Sequence, residues 1–242
     1  MSRWVGKIAV VTGASSGIGL TIAQTLANQG MIVIGLARRK DEMEEKMKQL
    51  KNPKGKFHGF MCDISKEQNV IDAFKWIKDN FGTVSVLVNN AGKVVVSEIA
   101  DASSDIIRST FELNVFGLLY CSREALKHMK SANVEGHIVN INSVVGRKIL
   151  NFPDLPLGIY MSSKFAVTAI SEILYNEVLG GKIRVTDIKP GFVETGNIPD
   201  FDMNSVVHLN TTDIADAVAY VIDLPQHVQI TELIIKPLGE KF

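Results

Sequence analysis

Tyr160 and Lys164 stand four positions apart, and together their side chains could perform acid–base chemistry. If the segment is helical, this spacing places both side chains on one face. A phenol in water loses its proton only near pH ~10, so it needs help to act as a base near neutrality. A neighbouring ammonium group favours the phenolate and gives that help. The pair alone is a weak signal, because surface helices often contain it by chance.

Two further polar residues could join this pair. Ser143 closes the segment Ile141–Ser143, which is predicted to end a strand at the sheet edge where ligands bind in parallel α/β folds. Asn114 lies inside a predicted helix, where asparagine is unfavourable unless its side chain has a hydrogen-bond partner. Because Ser143 and Asn114 are also present, the tyrosine–lysine pair is less expected to be a coincidence.

A glycine-rich segment near the N-terminus could hold phosphates. It reads Gly13-Ala14-Ser15-Ser16-Gly17-Ile18-Gly19 and lies between an apolar and an amphipathic segment. Gly13 allows a tight turn, Gly17 allows a close approach of the backbone to a pyrophosphate, and Gly19 lets the helix pack near the strand. The helix start offers N–H groups and the positive end of its dipole. A plain glycine-rich turn is the alternative.

Two arginines bear on the choice of nucleotide. Arg38 and Arg39 follow the second apolar segment, where an NAD-specific fold carries an acidic residue for the ribose 2′-hydroxyl. No carboxylate precedes Asp41 here. Because a guanidinium suits a 2′-phosphate that a carboxylate would repel, we predict NADP(H). Arg38 is expected to be the main phosphate contact and Arg39 a second one or an adenine-stacking partner, unless both are merely solvated surface residues.

Apolar and amphipathic segments alternate along the chain and predict the frame that positions these residues. The predicted strands are Lys7–Thr12, Met31–Ala37, Phe57–Cys62, Val84–Asn89, His137–Ser143, Ile183–Lys189 and Glu232–Ile235. The predicted helices are Ile18–Gln29, Lys40–Leu50, Glu67–Asn80, Ser104–Tyr120 continuing to Met129, Tyr160–Val178 and Thr212–Leu224. This pattern predicts one α/β domain over residues 1–242, a Rossmann fold with a doubly wound parallel sheet of about seven strands and helices on both faces.

Composition excludes several classes of protein. The 242 residues include 26 basic and 26 acidic side chains, and zero net charge argues against nucleic acid as a partner. Cys62 and Cys121 have no cysteine–histidine cluster around them, so we expect no disulfide framework and no metal site. The apolar stretch Ile8–Val11 is too short for a signal peptide, and no run of ~18 apolar residues predicts a membrane span. A cytoplasmic location is expected.

The segment from Thr12 to Gly19 matches the Thr-Gly-x-x-x-Gly-x-Gly fingerprint of the short-chain dehydrogenase/reductase family, which the chain resembles over nearly its whole length. The resemblance implies an active-site tetrad of Asn114, Ser143, Tyr160 and Lys164. It implies that Tyr160 exchanges a proton with the substrate oxygen while Ser143 hydrogen-bonds that oxygen. It further implies that Lys164 binds the nicotinamide ribose and lowers the pKa of Tyr160, and that Asn114 holds a water of the proton relay.

The same resemblance implies contacts to adenine and ribose. Asp63 is expected to accept from the adenine amino group and Ile64 to pack on the ring, although Asp63 could instead be a helix N-cap. The segment Asn89-Asn90-Ala91-Gly92 matches a family motif whose small residues leave room for the cofactor. Within it Asn89 is expected to be structural and Asn90 to lie near the ribose.

A Pro-Gly motif after the sixth predicted strand completes the family pattern. Its residues Pro190, Gly191, Val193 and Thr195 are expected to contact the nicotinamide carboxamide, or else to form a plain turn. Two loops, near residues 144–158 and 192–211, are expected to cover the substrate, the first longer than is common in the family and the second short.

Transfer of a hydride with a proton implies an alcohol and its carbonyl partner as substrate and product. The expected mouth of the site is largely apolar, with Val94, Phe152 and Phe192 as substrate contacts. Further apolar residues there are Val95, Val96, Leu150, Leu155 and Ile198, although about half of the set could be core. An apolar pocket favours a long isoprenoid or a steroid over a sugar.

Residues Arg3-Trp4, Gly136–Ser143 and His227–Ile230 resemble one subgroup of the family. That subgroup contains insect NADP-dependent farnesol dehydrogenases and vertebrate member 11 of the dehydrogenase/reductase group, a hydroxysteroid and carbonyl reductase. The resemblance favours oxidation of a prenyl alcohol, farnesol to farnesal, with a steroid or broad carbonyl reductase as the alternative and a non-catalytic NADP(H)-binding regulator as a remote one. It also implies a homodimer or homotetramer.

Overall fold

Seven parallel strands form one sheet in the computed structural model, which describes residues 2–152, 155–195 and 206–240. The strands are β1 Ile8–Thr12, β2 Ile32–Ala37, β3 Lys56–Met61, β4 Val84–Asn89, β5 Gly136–Ile141, β6 Ile183–Pro190 and β7 Glu232–Ile235. Their order across the sheet is β3-β2-β1-β4-β5-β6-β7. Every residue of β1, β4, β5 and β6 is buried, as expected of strands covered on both faces. The predicted Rossmann architecture is confirmed.

Helices cover both faces of the sheet. They are α1 Gly17–Asn28, α2 Lys40–Lys48, α3 Glu67–Asn80, α4 Ser104–Phe111, α5 Gly117–Ala132, α6 Gly158–Glu177 and α7 Thr211–Asp223. One core cluster lies between the sheet and α1, α2 and α7, and the other between the sheet and α3, α5 and α6. Among the described residues, no helix combines the length and the apolar character that crossing a membrane would need.

The structure departs from the predicted elements at two places that matter for the site. The predicted helix over Ser104–Tyr120 is interrupted by a π-helical turn at Glu112–Phe116, which separates α4 from α5. The fifth strand ends at Ile141 and not at Ser143, because the Ser143 hydroxyl accepts from the Val145 N–H and caps the short 3₁₀ turn Val144–Gly146. Serine side chains compete with strand pairing in this way, which a pattern of apolar residues cannot reveal.

The strand order reverses direction between β1 and β4, and the loops after these strands diverge there. Such a switch point leaves a crevice at the carboxyl edge of the sheet. Thr12 ties the two strand ends together, because its hydroxyl accepts from the N–H groups of Asn90 and Ala91, each at 3.0 Å. Asn89 is buried and donates to Ser122 and Asn140, each at 2.9 Å, which gives it the structural role predicted for it.

Candidate active site

A cleft of about 430 Å³ opens at this carboxyl edge, and most of the residues singled out from the sequence line it. Its β1–β2 end is lined by Gly13, Ser15, Ser16, Ile18, Arg38, Arg39, Asp63, Ile64, Asn90, Ala91 and Gly92. Its β5–β6 end is lined by Val94, Ser143, Phe152, Tyr160, Lys164, Pro190, Gly191, Phe192, Val193 and Thr195. Gly17, Gly19 and Asn114 do not line the cleft.

The glycine loop has the shape that its spacing predicts. Gly13 and Gly17 adopt positive φ angles of 68° and 53°, a region that favours glycine. A Cβ on Gly19 would overlap the Gly13 carbonyl and the side-chain amide of Asn90. Ser16 is the N-cap of α1, yet its side chain bonds none of the first-turn N–H groups. These donors and the helix dipole fit an anionic group such as a pyrophosphate.

The two arginines at the cleft mouth differ in their existing contacts. Arg39 donates to the hydroxyls of Ser15 at 3.2 Å and Ser16 at 3.3 Å, and it pairs with Glu42 at 3.0 Å. Arg38 is exposed, and within residues 2–152, 155–195 and 206–240 its guanidinium has no hydrogen bond or ion pair. Arg38 is therefore free to take a new anion, whereas Arg39 already braces the phosphate loop. The assignment of the 2′-phosphate mainly to Arg38 stays a prediction.

Asp63 and Ile64 are each partly engaged by the protein. One oxygen of Asp63 accepts from the N–H and the hydroxyl of Ser65, at 3.1 and 2.8 Å, and so closes a turn ahead of α3. The N-cap of α3 is Lys66, so the alternative of Asp63 as that cap is wrong. Ile64 is 4% exposed and packs against Gly117, which leaves only an edge of its side chain toward the cleft.

Ser143, Tyr160 and Lys164 converge at the other end of the cleft. The Ser143 hydroxyl lies near enough to the Tyr160 phenol to oppose, in part, the rise of its pKa on burial. The Lys164 ammonium lies 5.8 Å from the centroid of the Tyr160 ring and donates to the Ile141 carbonyl at 2.9 Å. A substrate oxygen beside the Ser143 and Tyr160 hydroxyls would have two hydrogen-bond partners, with a cation behind them.

Burial dominates the pKa values of the titratable side chains at this end of the cleft. Burial raises the pKa of the Tyr160 phenol to about 12, and the Ser143 hydroxyl only partly opposes that rise. Burial also lowers the pKa of Lys164 to about 8, opposed by the charge of Asp187. Burial therefore sets the direction of the Tyr160 pKa, and the Lys164 ammonium bonds a backbone carbonyl instead of the phenol. The expected lowering of the Tyr160 pKa by Lys164 stays a prediction.

Asn114 lies in the π-helical turn and has the partners that its position demands. Its side-chain oxygen accepts from the Lys93 N–H at 2.9 Å, and its amide donates to the Lys93 carbonyl and the Ser163 hydroxyl, each at 3.0 Å. It thereby fastens the loop after β4 to α6, one residue before Lys164. Both of its N–H donors are used, so its place in a water relay stays a prediction.

The apolar lining joins the two predicted substrate loops. The rings of Phe152 and Phe192 meet edge to face, with centroids 6.3 Å apart and an interplanar angle of 87°. The second loop is pinched where Val193 pairs with Leu209. Val94, Leu150, Phe152 and Phe192 line the cleft, whereas Val95, Val96 and the core residue Leu155 do not. Ile198 lies outside the described residues, as do residues 153–154 and 196–205 of the two loops.

Sequence reasoning missed two charged residues in the cleft wall. The Glu240 side chain is 1% exposed, accepts from the Phe192 N–H at 3.0 Å and pairs with Lys236 at 3.2 Å. It thus holds the turn after β6 from the other end of the chain, and no local pattern signals so distant a contact. Lys93 also lines the cleft and donates to Ser109 at 2.7 Å. The one feature of the sequence that could have pointed to Lys93 is its position directly after the segment that ends at Gly92.

Comparisons with known proteins agree with this geometry. A model of the family described as short chain dehydrogenase matches residues 7–204. The farnesol dehydrogenase of Aedes aegypti is 46% identical over 251 aligned positions that cover 100% of both chains. Dehydrogenase/reductase SDR family member 11 of Gallus gallus is 36% identical over 98% of both chains. The structure of an alcohol dehydrogenase from Thermococcus sibiricus complexed with 5-hydroxy-NADP superposes with a TM-score of 0.85, at 28% identity over 98% of both chains.

Proposed function

Since the chain belongs to the short-chain dehydrogenase family, we propose that this oxidoreductase uses NADP(H) to interconvert an alcohol and a carbonyl compound. The observation that carries the proposal is the convergence of Ser143, Tyr160 and Lys164 at one end of a cleft whose other end carries the glycine loop and the exposed Arg38. The nicotinamide, when bound, supplies the hydride acceptor or donor. The remaining chemistry belongs to the protein.

NADP(H) fits the residues at the β1–β2 end. The glycine loop leaves the backbone N–H groups at the start of α1 available to a pyrophosphate, since Gly19 has no room for a side chain. The Arg38 guanidinium suits the 2′-phosphate. Relatives support the same cofactor, because the Thermococcus sibiricus structure contains an NADP derivative. At the β5–β6 end Lys164 would hold the nicotinamide ribose, and the turn from Pro190 to Thr195 would hold the carboxamide.

Proton transfer falls to Tyr160. Because burial raises its pKa to about 12, Tyr160 is a protonated phenol at neutral pH and can donate a proton to the oxygen of a carbonyl substrate. In the oxidative direction it must first lose that proton, after which it can accept one from the alcohol. Ser143 hydrogen-bonds the substrate oxygen in both directions. Lys164, an ammonium at neutral pH, stabilises the negative charge on either oxygen.

We propose a long apolar alcohol of the prenyl class, such as farnesol, as the substrate. The wall near Tyr160 is formed by Val94, Leu150, Phe152 and Phe192, which offer an isoprenoid chain apolar contacts and few hydrogen bonds. The name of the Aedes aegypti relative supports the same class. A steroid or broad carbonyl reductase would use the same catalytic residues, and the assay below separates the two.

The test is NADP⁺-dependent absorbance at 340 nm with farnesol, geraniol, a 17β-hydroxysteroid and small secondary alcohols, together with the NADPH-driven reverse reactions. Turnover led by farnesol and lost in Tyr160→Phe, with NADPH binding retained, is the expected result. Turnover led by a steroid or a small ketone would replace the prenyl substrate with that class. Tight NADPH binding without turnover of any of these compounds would contradict the prenyl, steroid and small-alcohol substrates and leave another substrate or a non-catalytic NADP(H)-binding regulator.

We also propose a homodimer or homotetramer formed through α5 and α6. The family resemblance supports this, as do large apolar side chains exposed near these helices, among them Phe116, Phe165 and Ile173 at 46%, 37% and 63%. Light scattering at micromolar concentration is expected to give a multiple of the 26.5 kDa chain mass. A monomer mass would refute the assembly.

A further inference from the structure

Behind the catalytic serine, five polar side chains form a continuous line of contacts. The Asn142 amide donates to Asp187 at 3.0 Å, and the Lys189 ammonium donates to the same oxygen at 2.6 Å. Lys189 also donates to Glu232 at 2.7 Å, and the other Glu232 oxygen lies 3.5 Å from Arg147. We call Asp187, Lys189 and Glu232 the β6–β7 charge cluster.

The burial of this cluster is unusual for charged groups. The side chains of Asp187 and Lys189 are 4% and 1% exposed, whereas that of Glu232 is 38% exposed. Burying an ion pair rarely adds net stability, because desolvation offsets the attraction, and apolar side chains of similar size would serve as well. A reason other than stability is therefore needed for charges at these two positions of β6.

Both ends of the line of contacts lie in one short segment. Asn142 and Arg147 flank the turn that begins at Ser143, so the cluster holds this turn from both sides. Thr168 of α6 closes the arrangement, because its hydroxyl accepts from Asn142 at 2.9 Å and donates to the Gly146 carbonyl at 2.8 Å. The position of the Ser143 hydroxyl therefore depends on groups from β6, β7 and α6.

The same cluster acts on Lys164. The ammonium of Lys164 donates to the carbonyl of Ile141, directly before the residue that Asp187 holds. Tyr160 faces Lys164 from its own helix, and Asp187 is the charge from β6 that favours its ammonium form. Lys189 and Glu232 lie beyond Asp187, and Arg147 beyond Glu232. Asp187 thus bonds Asn142 and Lys189 directly, and Asn142 follows the residue whose carbonyl Lys164 bonds.

We propose that the β6–β7 charge cluster is a positioning device for the catalytic groups. It fixes the turn that carries Ser143, and it holds the Asp187 carboxylate beside the strand end whose carbonyl Lys164 bonds. The inference rests on the proposed function for the roles of Ser143 and Lys164. Asp187 and Lys189 are positioning residues, since they act through Asn142 and Lys164.

The test measures the dissociation constant of NADPH against pH by the fluorescence of the nucleotide, which needs no substrate. A change in the NADPH dissociation constant with pH that occurs in the wild type and not in Lys164→Met reports the titration of Lys164. Asp187→Asn is expected to move the midpoint of this change to lower pH by about 1 unit, because the opposing carboxylate is lost. Lys189→Met removes a cation and keeps the carboxylate, so its midpoint is not expected to fall.

Glu232→Gln provides a second variant in case Asp187→Asn does not fold. Its side chain is partly exposed, and loss of its charge leaves Lys189 less neutralised, so a smaller shift in the same downward direction is expected. A merely structural effect would lower the melting temperature of the variants without moving the midpoint. Unmoved midpoints in the folded variants would overturn the inference and leave the proposed function intact.

Two other outcomes separate this inference from the proposed function. A shifted midpoint with no alcohol or ketone turned over by the wild type would support the cluster and contradict the proposed reaction. A wild-type curve with no step that depends on Lys164 would contradict the role assigned to that residue, and the inference with it.

Discussion

Replacing Arg38 with alanine tests the cofactor assignment most directly. Arg38 has no partner in the described part of the chain, whereas Arg39 is bonded to Ser15, Ser16 and Glu42. A hydrogen bond to a charged group contributes about 1.5–3 kcal/mol, and the lower value applies at an exposed site. Since 1.36 kcal/mol equals a factor of ten, Arg38→Ala should weaken NADP⁺ binding by about ten-fold and leave NAD⁺ binding nearly unchanged.

The measurement is kcat/KM with NADP⁺ and with NAD⁺ at saturating alcohol, supported by dissociation constants for both reduced nucleotides. Arg39→Ala is the matched control. This substitution removes contacts to the phosphate loop, which both nucleotides need. It should therefore weaken the binding of NADP⁺ and of NAD⁺ to a similar degree. Equal losses for the two nucleotides in Arg38→Ala, or a wild type that prefers NAD⁺, would refute the assignment of the 2′-phosphate to Arg38.

Three further outcomes follow from the site. Because the pKa of Tyr160 is raised to about 12, kcat for alcohol oxidation is expected to rise with pH through the alkaline range as the phenol deprotonates, while ketone reduction gains nothing; a flat oxidative profile would contradict this. Burial lowers the pKa of Lys164 from the ordinary lysine value of 10.5 to about 8. Between these two pH values the unfolded chain binds more protons than the folded chain, so the free energy of unfolding rises with pH. Below pH 8 the folded protein bears the full cost of the buried ammonium. Lys164→Met should therefore raise the free energy of unfolding at pH 7 by up to about 3 kcal/mol while abolishing turnover, and a lower melting temperature would refute this. Phe192→Ala removes an apolar side chain of the cleft wall and its edge-to-face contact with Phe152, so it should raise KM for farnesol without changing KM for a small alcohol, and an equal effect on both would contradict the prenyl pocket.

The residues that work through local spacing were predictable from the sequence. Gly13, Gly17 and Gly19 act through backbone angles and close approach within one loop, so their types and order suffice. Tyr160 and Lys164 share a helix, and their separation places them together whatever surrounds them. The strands of the sheet are marked by continuous apolar segments, which is why seven of them in parallel could be expected.

Tertiary structure alone decided the features that depend on burial and on distant partners. The pKa of Tyr160 rises because of the material packed around it, which spacing on a helix does not encode. The π-helical turn at Glu112–Phe116 accompanies the contacts of Asn114 with the loop after β4, more than twenty positions earlier in the chain.

Glu240 and the β6–β7 charge cluster also depend on contacts that only the tertiary structure creates. Glu240 meets Phe192 across 48 positions, and Lys189 meets Glu232 across 43. An Asp or Lys within an apolar segment is unusual, but the segment does not reveal which residue pairs with it, because that partner can lie on another strand. The sequence by itself determined the fold class, the phosphate loop and the tyrosine–lysine pair, since these depend on near neighbours. The protonation states and the supports of the catalytic groups depend on desolvation and long-range contacts, which exist only once the sheet has assembled.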